Sequence, residues 1–196
     1  MNKYADTVYT SHMNIRELLS ESSIEIGAEL FSKDEALDKL VSLQNIQDKT
    51  ALREEIRERE EKGNTAVAGR IAIPDVVHRG SNKTSVSALT LKSGVDYGAP
   101  DRKKVTLIFM ISGKSGTNEH AAAKARLLRL LMDSAFAAQL CSAQSKEEFL
   151  RLIEERERLR FTPAQPDRHF DCSKFLFENN KKLRSRKRRF FRFKNT

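Results

Sequence analysis

The sequence predicts an α/β fold in which a small β-sheet carries helices on both faces. Three observations support this prediction: capped amphipathic helices stand on either side of a central stretch, that stretch consists of short β-prone runs, and one run is almost wholly apolar. A buried strand needs cover on both faces, and an amphipathic helix needs an apolar surface to pack on. Helices packed on a central sheet satisfy both requirements.

The first predicted helix covers residues 33–44. Ser32 and Glu35 have the spacing of a capping box, in which the Ser side chain caps the helix and the Glu side chain reaches back to the cap. Apolar residues recur at intervals of three and four positions within this helix. One stripe of the helix is therefore expected to face a core.

The second predicted helix covers residues 49–62. Asp48 is placed to cap it, and Gly63 is placed to end it. Arg59 falls at the rim of the apolar stripe of this helix. A long charged side chain at such a rim can reach over the edge of the core toward a surface site.

The middle of the chain contains three β-prone runs, at residues 70–73, 85–91 and 105–111. The turn at 96–98 separates the second run from the third. The third run is almost wholly apolar, which is typical of a central strand covered on both faces.

Two more helices are predicted after the strands. Asn118 is placed to cap a helix over residues 119–132, whose leucines are expected in the core. Ser145 and Glu148 repeat the capping-box spacing and open a last helix with its own apolar stripe. The folded domain is accordingly expected over residues 11–155.

Residues outside that range are expected to be an N-terminal extension (1–10) and a linker with a basic, disordered C-terminal tail (156–196). The net charge of the chain is +9, but residues 181–196 hold nine Lys and Arg and no acid. The rest of the chain is therefore formally neutral. The tail interleaves cations with phenylalanines, a composition compatible with binding nucleic acid, lying on an anionic membrane, or having no binding role.

No apolar run reaches the ~20 residues that a membrane-spanning helix needs, and the polar start lacks the apolar stretch of a secretory signal. A cytoplasmic location is expected. Cys141 and Cys172 are too few and too far apart for a disulfide framework or a zinc site, and Cys141 is interpreted as a small buried side chain. No cofactor and no metal are predicted.

Several segments carry a resemblance to one family. Residues 59–75 read REEKGNTAVAGRIAIPD, residues 94–101 read GVDYGAPD, and residues 118–120 read NEH. In this order, with the apolar run between the last two, they resemble the type-2 enzyme IIA domains of the sugar phosphotransferase system, the mannitol, fructose and nitrogen-regulatory group. The resemblance implies a small mixed β-sheet flanked by helices on both faces.

The resemblance also implies a site formed by Arg59, Asp75 and His120. The family pattern Pro-His-Gly places the phosphorylated histidine where this chain has Pro74-Asp75-Val76. His120 corresponds to the second active-site histidine, and the first turn of a helix favours a bound anion. The guanidinium of Arg59 is able to clamp phosphate oxygens in pairs.

The function implied is that of an enzyme IIA-like component, which takes a phosphoryl group from HPr and passes it to a sugar-specific IIB partner. Asp75 cannot form the phosphoimidazole of that relay, and an acyl phosphate usually depends on a bound metal. A displaced acceptor at His78 is one alternative. Another is a regulatory relative that is not phosphorylated and acts through protein partners, and a third is a nucleic-acid or membrane binder that depends on the tail.

Overall fold

The computed structural model describes residues 13–67, 69–114 and 116–161. The N-terminal extension predicted at 1–10, Cys172 and the basic tail lie outside the described residues. The helices and strands are, in chain order, α1 (Ile15–Leu18), a 3₁₀ turn (Glu21–Ser23), β1 (Ile24–Ala28), α2 (Lys33–Leu43), α3 (Lys49–Lys62), β2 (Ala66–Val67), β3 (Ile71–Ala72), β4 (Asp75–His78), β5 (Ser85–Val95), β6 (Val105–Lys114), α4 (Glu119–Leu131), α5 (Ser134–Ser142) and α6 (Lys146–Arg160).

The strands form one mixed sheet, as predicted. β6 lies at its centre, antiparallel to β5 on one side and parallel to β3 and β4 on the other. β1 pairs in parallel with β5, and β2 pairs antiparallel with β3 at the other edge. β3 and β4 pair one after the other with the same side of β6, and residues 73 and 74 separate them.

Helices cover both faces of this sheet. One core joins it to α1, α4, α5 and α6, and the other joins it to α2 and α3. The alternation along β6 explains its composition: Leu107 and Phe109 enter the first core, whereas Ile108 and Met110 enter the second. A strand with helices on both faces has no solvent-facing side, so its sequence is continuously apolar.

The predicted capping boxes hold the helix starts. Ser32 accepts a hydrogen bond from the backbone of Glu35 (3.1 Å), whose carboxylate accepts one from the backbone of Phe31 (2.9 Å). Ser145 caps α6 in the same way through the amide of Glu148 (3.1 Å). The cap predicted at Asn118 is wrong. α4 begins directly after Asn118, but the Asn118 side chain accepts no hydrogen bond from the helix.

Three features differ from the sequence predictions. β1 was not predicted, since only Ile24 of its residues is fully buried and Gly27 interrupts it at φ +63°. α5 was not predicted; Asp133 caps it by accepting from the amides of Ala135 and Phe136. Cys141 is exposed rather than buried, because α5 turns Leu140 toward the core and the next position outward.

The helix α6 ends at Arg160, so residues 156–160 complete a helix instead of beginning the predicted linker. This last turn carries Glu157, whose side chain is 5% exposed. Its Oε1 accepts from the amide of Ile15 (2.9 Å) and Nε of Arg126 (2.6 Å), and its Oε2 accepts from the amide of Arg16 (3.0 Å). One carboxylate therefore joins α1, α4 and α6.

Within the parts of the chain that the structure describes, no helix combines the length and the apolar character needed to cross a bilayer.

Candidate functional site

Arg59, Asp75 and His120 all line one open surface cavity of about 520 Å³. The end of α3, the start of β4 and the start of α4 form its walls. The three side chains come from segments far apart in sequence, and the pairing of β4 with β6 places them together. The convergence expected from the sequence is therefore present in the fold.

The carboxylate of Asp75 is held by two cations. Its Oδ1 accepts from Nζ of Lys124 at 2.6 Å and from a terminal guanidinium nitrogen of Arg59 at 3.3 Å. The Asp75 side chain is only 13% exposed. Two positive charges thus face one negative charge at the base of the cavity, and charge-assisted hydrogen bonds of this kind are stronger than neutral ones.

Arg59 lies in the last turn of α3, where its guanidinium bridges two segments. One terminal nitrogen donates to the carbonyl of Gly63 at 2.9 Å, and the other donates to Asp75. The first contact holds the side chain at the end of its own helix. The guanidinium consequently presents a fixed donor to the cavity.

A buried network anchors that end of α3. The Glu60 carboxylate accepts from the hydroxyls of Thr65 and Tyr97 (3.0 Å for Tyr97), and Nζ of Lys33 lies 2.7 Å from it. Burial raises the pKa of Tyr97 above its usual range, and the negative charge of Glu60 raises it further. Tyr97 therefore stays protonated and donates, which fixes the helix end next to Arg59.

His120 lies in the first turn of α4, half-buried against β6. Its Nδ1 is buried and has no hydrogen-bond partner in the structure. Gly113 makes this close packing possible, because a methyl group at that position would lie 2.3 Å from Cβ of His120 and 2.8 Å from its Cγ. The glycine therefore determines how deeply the imidazole sits beside the cavity.

Gly113→Ala is expected to lower the free energy of unfolding by about 1–3 kcal/mol, as overpacking of a well-packed site does. The same substitution should shift the His120 imidazole resonances in NMR spectra, since the ring must move. Gly63→Ala is the matched control: its backbone is extended and the nearest atom to an added methyl group is 4.0 Å away. Equal effects of the two substitutions, measured by denaturant unfolding, would contradict this account.

His78, the alternative acceptor, lies at the far end of β4 and is 2% exposed. Its Nδ1 is 2.7 Å from a carboxylate oxygen of Glu55, and its Nε2 is buried without a hydrogen-bond partner. A nucleophile for an incoming phosphoryl group must be reachable from solvent. The position of His78 does not support the displaced-acceptor alternative.

Lys124, which contacts Asp75, is the residue of this site that the sequence analysis missed. It follows His120 by four positions on α4, so the two side chains share one face of the helix. That spacing was readable from the sequence. The ion pair with Asp75 was not, because the partner lies 49 positions away on a strand.

No three His, Cys, Asp or Glu side chains meet in an arrangement suited to a metal ion anywhere in residues 13–67, 69–114 and 116–161.

The mixed sheet between two helical layers, with charged side chains of both signs and a histidine around one surface cavity, defines a class: α/β domains with a polar surface site. The sequence over residues 17–156 matches the family described as "Phosphoenolpyruvate-dependent sugar phosphotransferase system, EIIA 2". The chain belongs to this family and is a IIA-type protein of the sugar phosphotransferase system.

Individual relatives agree with this assignment. The chain is 31% identical over 150 residues to a nitrogen regulatory protein homolog of Haemophilus influenzae, covering 72% of this chain and 92% of that protein. It is 30% identical over 151 residues to the fructose-specific EIIABC component of Bacillus subtilis, covering 74% of this chain and 24% of the relative. The chain thus spans about a quarter of that relative, and 18% of the multiphosphoryl transfer protein of Shigella flexneri.

Among solved structures, the nitrogen regulatory protein IIA-Ntr of Neisseria meningitidis superposes with a TM-score of 0.67 at 25% identity, covering 71% of this chain and 98% of that one. IIA mannitol of Escherichia coli gives a TM-score of 0.59 at 22% identity, which supports the shared fold.

Proposed function

We propose that this chain acts as a IIA-type component of the phosphotransferase system that meets its protein partners through the Asp75 cavity and holds a fixed negative charge there, instead of relaying a phosphoryl group through position 75. One observation carries this proposal: Oδ1 of Asp75 is already bound by both Arg59 and Lys124. The two cations suited to hold phosphoryl oxygens are thus already engaged by the side chain at the acceptor position.

The chemistry of the carboxylate supports the same function. Phosphoryl transfer needs a nucleophile free to approach the phosphorus in line, with cations free to hold the equatorial oxygens. At Asp75 the candidate nucleophile and the candidate holders satisfy each other. Both ion pairs are made by Oδ1, and transfer to either carboxylate oxygen would leave an acyl phosphate in place of a phosphoimidazole.

The partners proposed are an HPr-type donor and a IIB component. One similar fold was solved as a "complex of enzyme IIAMtl and phosphorylated enzyme IIBMtl" from Escherichia coli. The cavity here has the features of a docking surface, because Val76 and Val77 line it beside the charged residues and Val77 is 38% exposed. Asp75 presents one negative charge there, whereas a phosphoryl group carries about two, so the resemblance to a phosphorylated state is partial.

A second candidate function is phosphoryl acceptance at His120. The observation that favours it is the placement of this half-buried imidazole on the cavity wall. Arg59 and Lys124 would then hold the phosphoryl oxygens only after exchanging Asp75 for the incoming group. The family function would survive in this case with a different acceptor.

One labelling experiment separates the two functions. The protein is incubated with phosphoenolpyruvate carrying ³²P, enzyme I and HPr, and labelled HPr in the same mixture shows that the donor is charged. We expect no stable label on the chain. Acid-labile, alkali-stable label that disappears in His120→Gln but persists in His78→Gln would establish the second candidate, and alkali-labile label that is absent from Asp75→Asn would refute the proposal.

A further inference from the structure

A second cavity, of about 440 Å³, lies at the opposite end of the β3–β6 pair from the Asp75 cavity. Ile71 pairs with Leu107 at this end, and Asp75 pairs with Ile111 at the other. The two pairs are four positions apart along β6, which corresponds to a distance of roughly 13 Å. The turn before β3, the start of β6 and α5 form the walls of this second cavity, and none of its lining residues belongs to the first.

The second cavity is lined by both apolar and cationic side chains. Ala138 and Cys141 of α5 are exposed in it, Ile71, Leu107 and Ala137 line it but are at most 6% exposed, and cations from Arg70 and Lys103 stand at its edge. Binding sites for small organic molecules have this composition, a largely apolar wall with a few convergent polar groups, and commonly measure ≈300–1,000 Å³.

The backbone around the cationic edge is held in an unusual conformation. Arg70 has φ +70° and Arg102 has φ +59°, and they are the two non-glycine residues with positive φ in the described parts of the chain. Such conformations are costly for side chains with a Cβ and are maintained only where surrounding contacts fix them.

Those contacts are present on both sides of the turn. The carbonyl of Arg70 accepts from the amides of Thr106 (2.9 Å) and Leu107 (3.2 Å). Asp101 accepts from the amides of Gly69 (3.2 Å) and Lys103 (3.2 Å), so it ties the two turns together. The arginine and the lysine are thereby held at one edge of the cavity.

The charge at this edge is strongly positive. Residues 102–104 read RKK and are largely exposed, Arg70 is exposed beside them, and Asp101 is the acid between the two turns. Partial burial raises the pKa of the Cys141 thiol, which lines the cavity, while its hydrogen bond to Thr106 and the positive charge of Arg70 oppose that rise.

We propose that this second cavity binds a small amphipathic anion, with its apolar chain against Ala138 and Cys141 of α5 and its carboxylate toward Arg70 and Lys103. Charge complementarity selects the anionic head, and the apolar wall selects the tail. The site is separate from the Asp75 cavity, so the proposal is independent of the function assigned there.

Decanoate is the probe, and titration calorimetry on the full chain measures its dissociation constant. Ala138→Leu fills the cavity from an exposed position of α5, and Ala135→Leu on the same helix is the matched control outside the cavity. We expect Ala138→Leu to weaken decanoate binding by about tenfold or more, the effect of losing ~1.4 kcal/mol of contact, and Ala135→Leu to leave it unchanged.

The anionic head is tested separately. Lys103→Ala should weaken decanoate binding several-fold, whereas Lys92→Ala, which removes an exposed cation outside this cavity, should not. Decanol, with the same tail and no charge, should bind more weakly than decanoate. Equal affinity for decanol and decanoate would overturn the assignment of an anion site.

Cys141 supplies a direct reporter of occupancy. Saturating decanoate should slow alkylation of Cys141, with Cys172 of the same chain as the internal reference in the mass spectrum. Absence of saturable decanoate binding, or binding that is unaffected by Ala138→Leu and does not protect Cys141, would overturn the proposal.

Discussion

Replacing Glu157 with alanine is expected to lower the free energy of unfolding by about 3–5 kcal/mol, the usual cost of removing one partner from a buried ion pair. The carboxylate accepts from Arg126 and from two amides at the start of α1. Its loss leaves the Arg126 guanidinium, itself 9% exposed, buried without its charge partner. It also leaves the first amides of α1 without an acceptor.

Urea unfolding followed by circular dichroism measures this effect. Glu155→Ala is the matched control, because Glu155 lies on the same helix in an exposed i,i+4 pair with Arg151. Exposed pairs contribute little, so the control should change stability by less than about 1 kcal/mol. Glu157→Gln should fall between the two variants, since the amide oxygen still accepts but the charge is lost. A Glu157→Ala protein as stable as the Glu155→Ala protein would contradict the role of this carboxylate.

The same carboxylate shows where sequence reasoning fails. The helix of which Glu157 is part was predictable from the capping box at Ser145, because capping is local chemistry. The end of the domain was not, because the contacts of Glu157 are with residues 142 and 141 positions away. A boundary drawn at 155 cuts off the side chain that joins α6 to α1.

The central strand was predictable for a different reason. A run without polar alternation has one stable placement, between two apolar layers, and β6 occupies it. β1 gave a weaker signal, since the alternation of Ile24, Glu25 and Ile26 is short and is followed by a glycine at positive φ.

The candidate site also combines residues that the sequence identified with one that it did not. Arg59, Asp75 and His120 were identified together because short motifs, in order along the chain, carry the resemblance. Lys124 belongs to none of those motifs, and its role follows only from the contact with Asp75. Sequence reasoning thus identified the position of the replaced acceptor but not the cation that now neutralises it.

Asp75→His is expected to convert the chain from a protein without stable label into one that accepts a phosphoryl group from phosphorylated HPr. The substitution removes the carboxylate that now binds Arg59 and Lys124, so both cations become available for phosphoryl oxygens. Two neighbouring positive charges also disfavour protonation of the introduced imidazole, which keeps it in the neutral, nucleophilic form.

The expected product is a phosphoimidazole, which is labile in acid and stable in alkali, and ³²P transfer followed by peptide mapping locates it. Asp75→Gln is the matched control, since it frees the same cations without supplying a nucleophile; label there would come from His120 or His78. Asp75→His combined with Val76→Gly reproduces the Pro-His-Gly pattern and removes the branched side chain next to the acceptor. The prediction is contradicted if neither Asp75→His nor the double variant acquires label while HPr in the same mixture is charged. Arg59 and Lys124 would then not be placed to hold a phosphoryl group, and the missing histidine would not be the sole reason that the chain accepts none.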